Sequence, residues 1–265
     1  MKSQSSFEKT IKNAGAIVCI AIMSACSSNS DEPETPAPSV NFTEVKGSGD
    51  ISSQLASFRS LLGDQLNTTP GQTTGRREIN WDAVPDNQTN TDTFPGDFFN
   101  STDPNVAAGR KRGAIFTTQG NGLRISDKNF SDIVSNYKDQ FNAFSPARTF
   151  AATGSNKMDV TFKVPGTATA ASVKGFGVVL SDVDKANSTT LEFFEGDKSL
   201  GKFAAPARKD DKGFSFLGAV FPDSKVTKVT ITSGSAAIIN KYADNAENDL
   251  VVMDDFLYSE PASLQ

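Results

Sequence analysis

The chain has 265 residues, 26 of them Lys or Arg against 31 Asp or Glu, with no histidine and only two cysteines. The missing imidazole excludes Ser-His-Asp and Cys-His catalysis and any histidine-ligated zinc or haem. Two cysteines exclude a disulfide-rich scaffold, a four-cysteine zinc site and an iron–sulfur cluster. A net charge of −5 lacks the basic footprint that a nucleic-acid partner requires.

At the N-terminus, Lys2, Lys9 and Lys12 flank a short apolar run over residues 14–23. That run is far below the ~20 residues needed to span a bilayer, so residues 1–25 read as a signal peptide. Met23-Ser24-Ala25-Cys26 resembles the lipobox of bacterial lipoproteins. Small residues before the cysteine fit the peptidase pocket, and the Cys26 thiolate takes a diacylglycerol thioether. Leu is usual in the family where Met23 stands. Cleavage before Cys26 would remove three lysines and one glutamate, taking the net charge from −5 to −7. It would also remove Cys19 and leave no free thiol. Acyl chains on Cys26, at about 0.8 kcal/mol per buried methylene, make the membrane the expected partner.

Ser27 follows the cysteine in place of Asp, and residues 27–32 (SSNSDE) are polar and acidic. This pattern resembles the sorting and surface-tether signals of Bacteroidetes lipoproteins. It implies an outer-membrane, lipid-anchored address, on the cell surface or the periplasmic face. Residues 26–45, with Pro33, Pro36 and Pro38, are expected to be the lipidated cysteine and a disordered tether.

Residues 46–75 are expected to hold one helix and a polar loop. Ile51, Leu55, Phe58 and Leu62 share one helical face over residues 50–62, and Gly63 stands where a C-cap is wanted. From Arg77 the period falls to two. Ile79, Trp81 and Ala83 alternate with polar residues, as do Met158, Val160, Phe162 and Val164. Residues 191–203 read as a hairpin around Gly196-Asp197. Further strands are expected at 114–117, 173–180, 214–221, 226–232 and 250–258. Short helical turns are expected within 127–150. Many short strands without strand–helix alternation predict an all-β fold for residues 76–261, an antiparallel β-sandwich of jelly-roll type with one short N-terminal helix.

Residues 75–82 (GRREINWD), 175–184 (GFGVVLSDVD) and 253–261 (MDDFLYSEP), with 58–63 and 214–218, resemble in their order an uncharacterised family of secreted bacterial β-sandwich proteins. The second half is also similar to extracellular β-sandwich domains of proteins carrying sorting signals. Ala83 departs from the glycine expected after Asp82. The resemblance implies a fold and carries no activity.

The candidate chemistry is acidic. Asp182 and Asp184 lie two apart at a strand end, Asp254 and Asp255 lie on the last strand, and Glu78 and Asp82 share a polar face. Carboxylates gathered from strand ends suit Ca²⁺, which takes hard oxygen ligands. The alternative is pairing with Arg76, Arg77 or Lys185. An EF-hand does not fit, since counting from Asp182 places Asn187 at the glycine position and Phe193 at the glutamate position. Trp81 and Tyr242 are the candidates for a glycan platform, although 20 Phe against 1 Trp and 3 Tyr describe rings meant for a core. No nucleotide or hydrolase motif is present. The expectation is a non-catalytic binding or envelope-structural lipoprotein, calcium-stabilised, whose partner is an envelope protein or a glycan. A glycan-binding module is the alternative, and a carboxylate-based glycan-active enzyme stands third.

Overall fold

The computed structural model describes residues 40–264 except 211 and 212. The signal peptide, Cys26 and the tether as far as Ser39 lie outside the described residues. In chain order the elements are β1 (Thr43–Gly49), α1 (Ser52–Leu62), β2 (Arg76–Ile79), β3 (Ala114–Thr118), β4 (Gly122–Ser126), α2 (Tyr137–Gln140), β5 (Thr149–Thr153) and β6 (Lys157–Lys163). There follow β7 (Ala170–Ser172), β8 (Gly175–Ser181), β9 (Thr190–Glu195), β10 (Lys198–Ala204), β11 (Phe214–Val220), β12 (Lys228–Thr232), β13 (Val252–Ser259) and β14 (Ala262–Ser263).

Two antiparallel sheets form, in the orders β1-β11-β8-β13-β5-β4 and β10-β9-β12-β6-β7-β14, with β2 added to β13 and β3 to β6. Eight of the strands trace a jelly roll. Successive strands β5, β6, β8, β9, β10, β11, β12 and β13 build β5-β13-β8-β11 in one sheet and β6-β12-β9-β10 in the other. Both the all-β sandwich and its jelly-roll topology agree with the sequence expectation.

The main core lies between the sheets. Phe176, Val178, Leu180, Met253 and Phe256 of the first sheet belong to the same buried cluster as Val160, Phe162, Leu191, Phe193 and Val229 of the second. The second sheet keeps the alternation of a half-buried sheet, with Met158, Val160 and Phe162 inward and Asp159, Thr161 and Lys163 less buried. Every residue of β8 and β13 is buried instead, because the first sheet is covered on both faces. Helix α1 lays Ile51, Leu55, Phe58 and Leu62 against Val179, Phe216, Val220 and Leu257. Residues 127–148 add Phe130, Tyr137 and Phe141 against Ala151 and Val252, with α2 as the helical turn expected there.

Two expectations are corrected. The tether expected to reach residue 45 ends sooner, since β1 begins at Thr43 and pairs along its length with β11. Residues 43–49 therefore belong to the first sheet, and α1 with the loop after it follows as expected for the rest of 46–75. Trp81 does not continue β2. It follows the strand with a φ of 67° and is 1% exposed, stacked on Phe150 at 4.0 Å and ringed by Phe94, Phe99, Phe116 and Phe256. It is core, and it offers no platform for a glycan. Among the described residues no helix is long and apolar enough to cross a membrane.

Candidate metal centre

Strand β8 ends at Ser181, and Asp182 takes a left-handed φ of 75°. Asn and Asp tolerate this region better than other non-glycine residues. Val183 enters the core, while Asp182 and Asp184 flank it. The loop over residues 233–251 is fastened beside them by Asp249, which is fully buried. Its carboxylate accepts the backbone N–H of Asp184 at 3.0 Å, that of Lys185 at 3.2 Å and the Ser188 hydroxyl. On the same loop, Asp244 accepts the Leu250 N–H at 3.3 Å.

This arrangement brings one carboxylate oxygen each from Asp182, Asp184 and Asp244 within 4.8 Å of one another. Ligands on opposite sides of a calcium ion lie about 5 Å apart, because each sits about 2.3–2.6 Å from the ion. The triad can therefore hold a metal ion. Arg208 ion-pairs with Asp182 and, through Nε at 2.6 Å, with Asp184. One guanidinium against three carboxylates leaves the cluster acidic.

The cost shows in the protonation of the cluster. Burial pushes Asp182 up to about 8, against the pull of the neighbouring Gln140 amide and Arg208, and the charges of Asp244 and Asp184 push the same way as burial. Asp244 rises to about 6, chiefly by burial and then by the neighbouring Asp184. Asp182 is 1% exposed, and beyond Arg208 and the Gln140 amide its carboxylate faces only other acids. A buried anion left this way takes either a proton or a cation.

The other expected ligands are not part of this group. Glu78 is held by Arg59 and by Arg76, at 2.9 and 2.7 Å. The alternative of arginine pairing is what occurs there. Asp82 accepts the backbone N–H of Arg148 at 3.2 Å. Asp254 and Asp255 sit at a β-bulge, where β13 advances three residues from Met253 to Phe256 while β8 steps from Leu180 to Val178. The bulge sets their carboxyls against each other, away from the triad. Asp254 Oδ2 accepts the N–H groups of Phe144 and Ser145 at 2.6 and 3.2 Å. Asp244, Asp249 and Arg208 were missed from the sequence. The only signal was the acidic run from Asp244 to Asp249, about sixty residues beyond Asp182. Tyr242 is half-buried, and its carbonyl accepts the Tyr137 hydroxyl at 2.7 Å.

The bulge has a pH signature. Burial and then the charge of Asp255 push Asp254 up to about 9, and Asp255 is raised as well, first by burial. Asp254 is thus protonated in the fold at neutral pH and ionised when unfolded. The folded state binds the extra proton, so stability falls as pH rises from about 4 to about 9, by at most about 1.4 kcal/mol per pH unit for this group. Asp182 and Asp244 add to the same slope without a cation. In EDTA, the melting temperature is expected to drop steadily from about pH 5 to pH 9, with a shallower slope in Asp254→Asn. A flat profile in the unsubstituted protein would contradict a protonated Asp254.

Set against known proteins, the chain matches no family model and no curated protein.

Proposed function

We infer that the protein is an outer-membrane lipoprotein whose jelly-roll sandwich serves a non-catalytic binding or envelope-structural role, stabilised by Ca²⁺ at Asp182, Asp184 and Asp244. The observation that carries the calcium reading is the convergence of three carboxylate oxygens within 4.8 Å, one of them from the buried Asp182. Hard oxygen donors favour Ca²⁺ over a transition metal, and no histidine or cysteine is present at the triad. The membrane reading rests on the lipobox-like Met23-Ser24-Ala25-Cys26. A glycan platform at Trp81 is set aside by the burial of that ring.

Two measurements test this reading. Fractionation of cells expressing the full chain should find it in the outer membrane, and Cys26→Ser should release it or leave it unprocessed in the inner membrane. An unchanged outer-membrane location in Cys26→Ser would contradict the anchor. Equilibrium dialysis with radioactive calcium should find one ion per chain, lost in Asp244→Asn. Stoichiometric binding that survives Asp244→Asn would place the ion elsewhere.

A further inference from the structure

The first sheet is covered on both faces, but the second is covered on one. Its outward face crosses β10, β9, β12, β6 and β3, four strand spacings or about 19 Å. The ladders set its side chains in rows. One row runs Lys202, Glu192, Thr230, Asp159, Thr117, and the next Ser199, Phe194, Lys228, Thr161, Ile115. Beside the first row Thr232 stands opposite Lys157, and Lys163 lies two residues past Thr161 on β6. Where β3, β6 and β12 meet, a depression of about 340 Å³ opens, lined among others by Thr117, Gln119, Ser155, Lys157, Asp159 and Thr230.

The charge of this face runs against that of the chain. Lys157, Lys163, Lys202 and Lys228 stand on it against Glu192 and Asp159, in a chain whose net charge is −5. Among the described residues the lysines that form ion pairs are Lys46 and Lys138, so none of these four is neutralised by a carboxylate. The Lys228 ammonium lies instead 4.3 Å over the Phe194 ring. The two acids are tied to hydroxyls: Thr230 donates to Asp159 at 2.6 Å and Ser199 to Glu192 at 3.0 Å.

A face of unpaired lysines attracts an anion. Which anion follows from what stands between the lysines. A polymer with a phosphate at every step would meet Glu192 and Asp159 in the middle of the face, and like charges opposite one another repel. A bilayer is held through inserted apolar side chains, and here Phe194 and Ile115 are half-buried. A polymer that carries hydroxyls between its carboxylates suits every row. Its carboxylates accept from lysine, and its hydroxyls exchange hydrogen bonds with threonine and donate to the two acids, each of which accepts more than one.

We propose that the outward face of the second sheet binds an acidic polysaccharide, a chain of uronic acid sugars laid across the strands. This gives a partner to the binding role inferred above, and it needs neither the calcium triad nor the lipid anchor.

The test is calorimetric titration of the full chain in detergent with galacturonate oligomers, in EDTA so that calcium plays no part. Binding with a dissociation constant on the order of 0.1 mM is expected in dilute buffer. It should weaken at least about fivefold between about 20 and about 200 mM salt, as lysine-held anions do. Replacing Lys157, Lys202 and Lys228 together by Gln should weaken it at least about tenfold with the melting temperature unchanged. Lys174→Gln, at the start of β8 in the other sheet, should leave it intact. No binding, equal binding of a neutral dextran, or binding that survives the triple substitution would overturn the proposal. So would capture by anionic phospholipid vesicles without any response to the oligomers. None of these results would alter the calcium or fractionation outcomes, which are read separately.

Discussion

Replacing Glu260 by alanine is expected to cost about 3–5 kcal/mol, the largest loss from any single polar change in the fold. The carboxylate is 7% exposed and Arg77 is fully buried. They meet through two parallel bonds of 2.7 Å, from Nε to Oε2 and from Nη2 to Oε1. Asn67 also donates to Oε2 at 2.9 Å, and Arg77 donates to the Thr69 carbonyl at 2.9 Å. The cluster therefore closes the polar loop 65–75 onto the chain just beyond β13. Without Glu260 the guanidinium is buried with only carbonyls to face, and the desolvation already incurred is uncompensated. Chemical denaturation of Glu260→Ala should lower the midpoint sharply at unchanged slope. A loss below about 1 kcal/mol would show that Arg77 reaches water in the variant. Because a buried pair is weak evidence of net stability, replacing Arg77 and Glu260 together by Met and Leu should recover part of the loss.

Phe58→Ala should cost about 3–5 kcal/mol by opening a cavity under α1. The ring is fully buried, and it sits over two glycines that face each other across β8 and β11, Gly177 and Gly218. A Cβ built on either glycine would come within 2.7 Å of the Phe58 ring. Helix α1 can lie this close to the sheet only because those two positions lack side chains. Phe216 completes the contact edge-on, 5.2 Å between ring centres. Gly218→Ala alone should destabilise by overpacking, and combining it with Phe58→Ala should cost less than the sum of the two. Additive losses in that cycle would mean the glycines and the ring do not share one contact.

Most of the sandwich was legible because most strands carry their own signal. The β6 residues alternate, the β9–β10 hairpin turns at Gly196 with a φ of 59°, and β8 and β13 are apolar runs bounded by turns. What escaped was structure that depends on partners. Strand β1 holds Gly47 and Gly49 among Lys and Glu and is a strand through its seven pairs with β11. Strand β5, Thr-Phe-Ala-Ala-Thr, is buried throughout and shows no alternation, since both its faces are covered.

The site was half legible for a related reason. Asp182 and Asp184 were found from local spacing, but their third partner arrives on a distant loop pinned by Asp249. Asp254 and Asp255 looked like members of the same group because an adjacent acid pair in an apolar strand turns one carboxylate toward the core, where it needs a counter-charge or donors. The bulge explains them, giving them each other. Trp81 misled through its alternation with Asn80 and Asp82, which belongs to a turn and not to a strand.

The central claim is that the Asp182–Asp184–Asp244 triad stabilises the sandwich by taking Ca²⁺. The most direct test is a thermal melt of the folded chain near pH 7.5, after EDTA treatment and then across a Ca²⁺ titration. Binding only to the fold stabilises by about 2.7 kcal/mol at a hundredfold excess over the dissociation constant, raising the midpoint by about 5–10 °C. That rise should be absent in Asp182→Asn and Asp244→Asn and present in Asp254→Asn, whose carboxyl lies at the bulge. No rise at millimolar Ca²⁺, or a rise that survives Asp182→Asn, would contradict the account. Arg208 and bound protons would then be all that balances the triad.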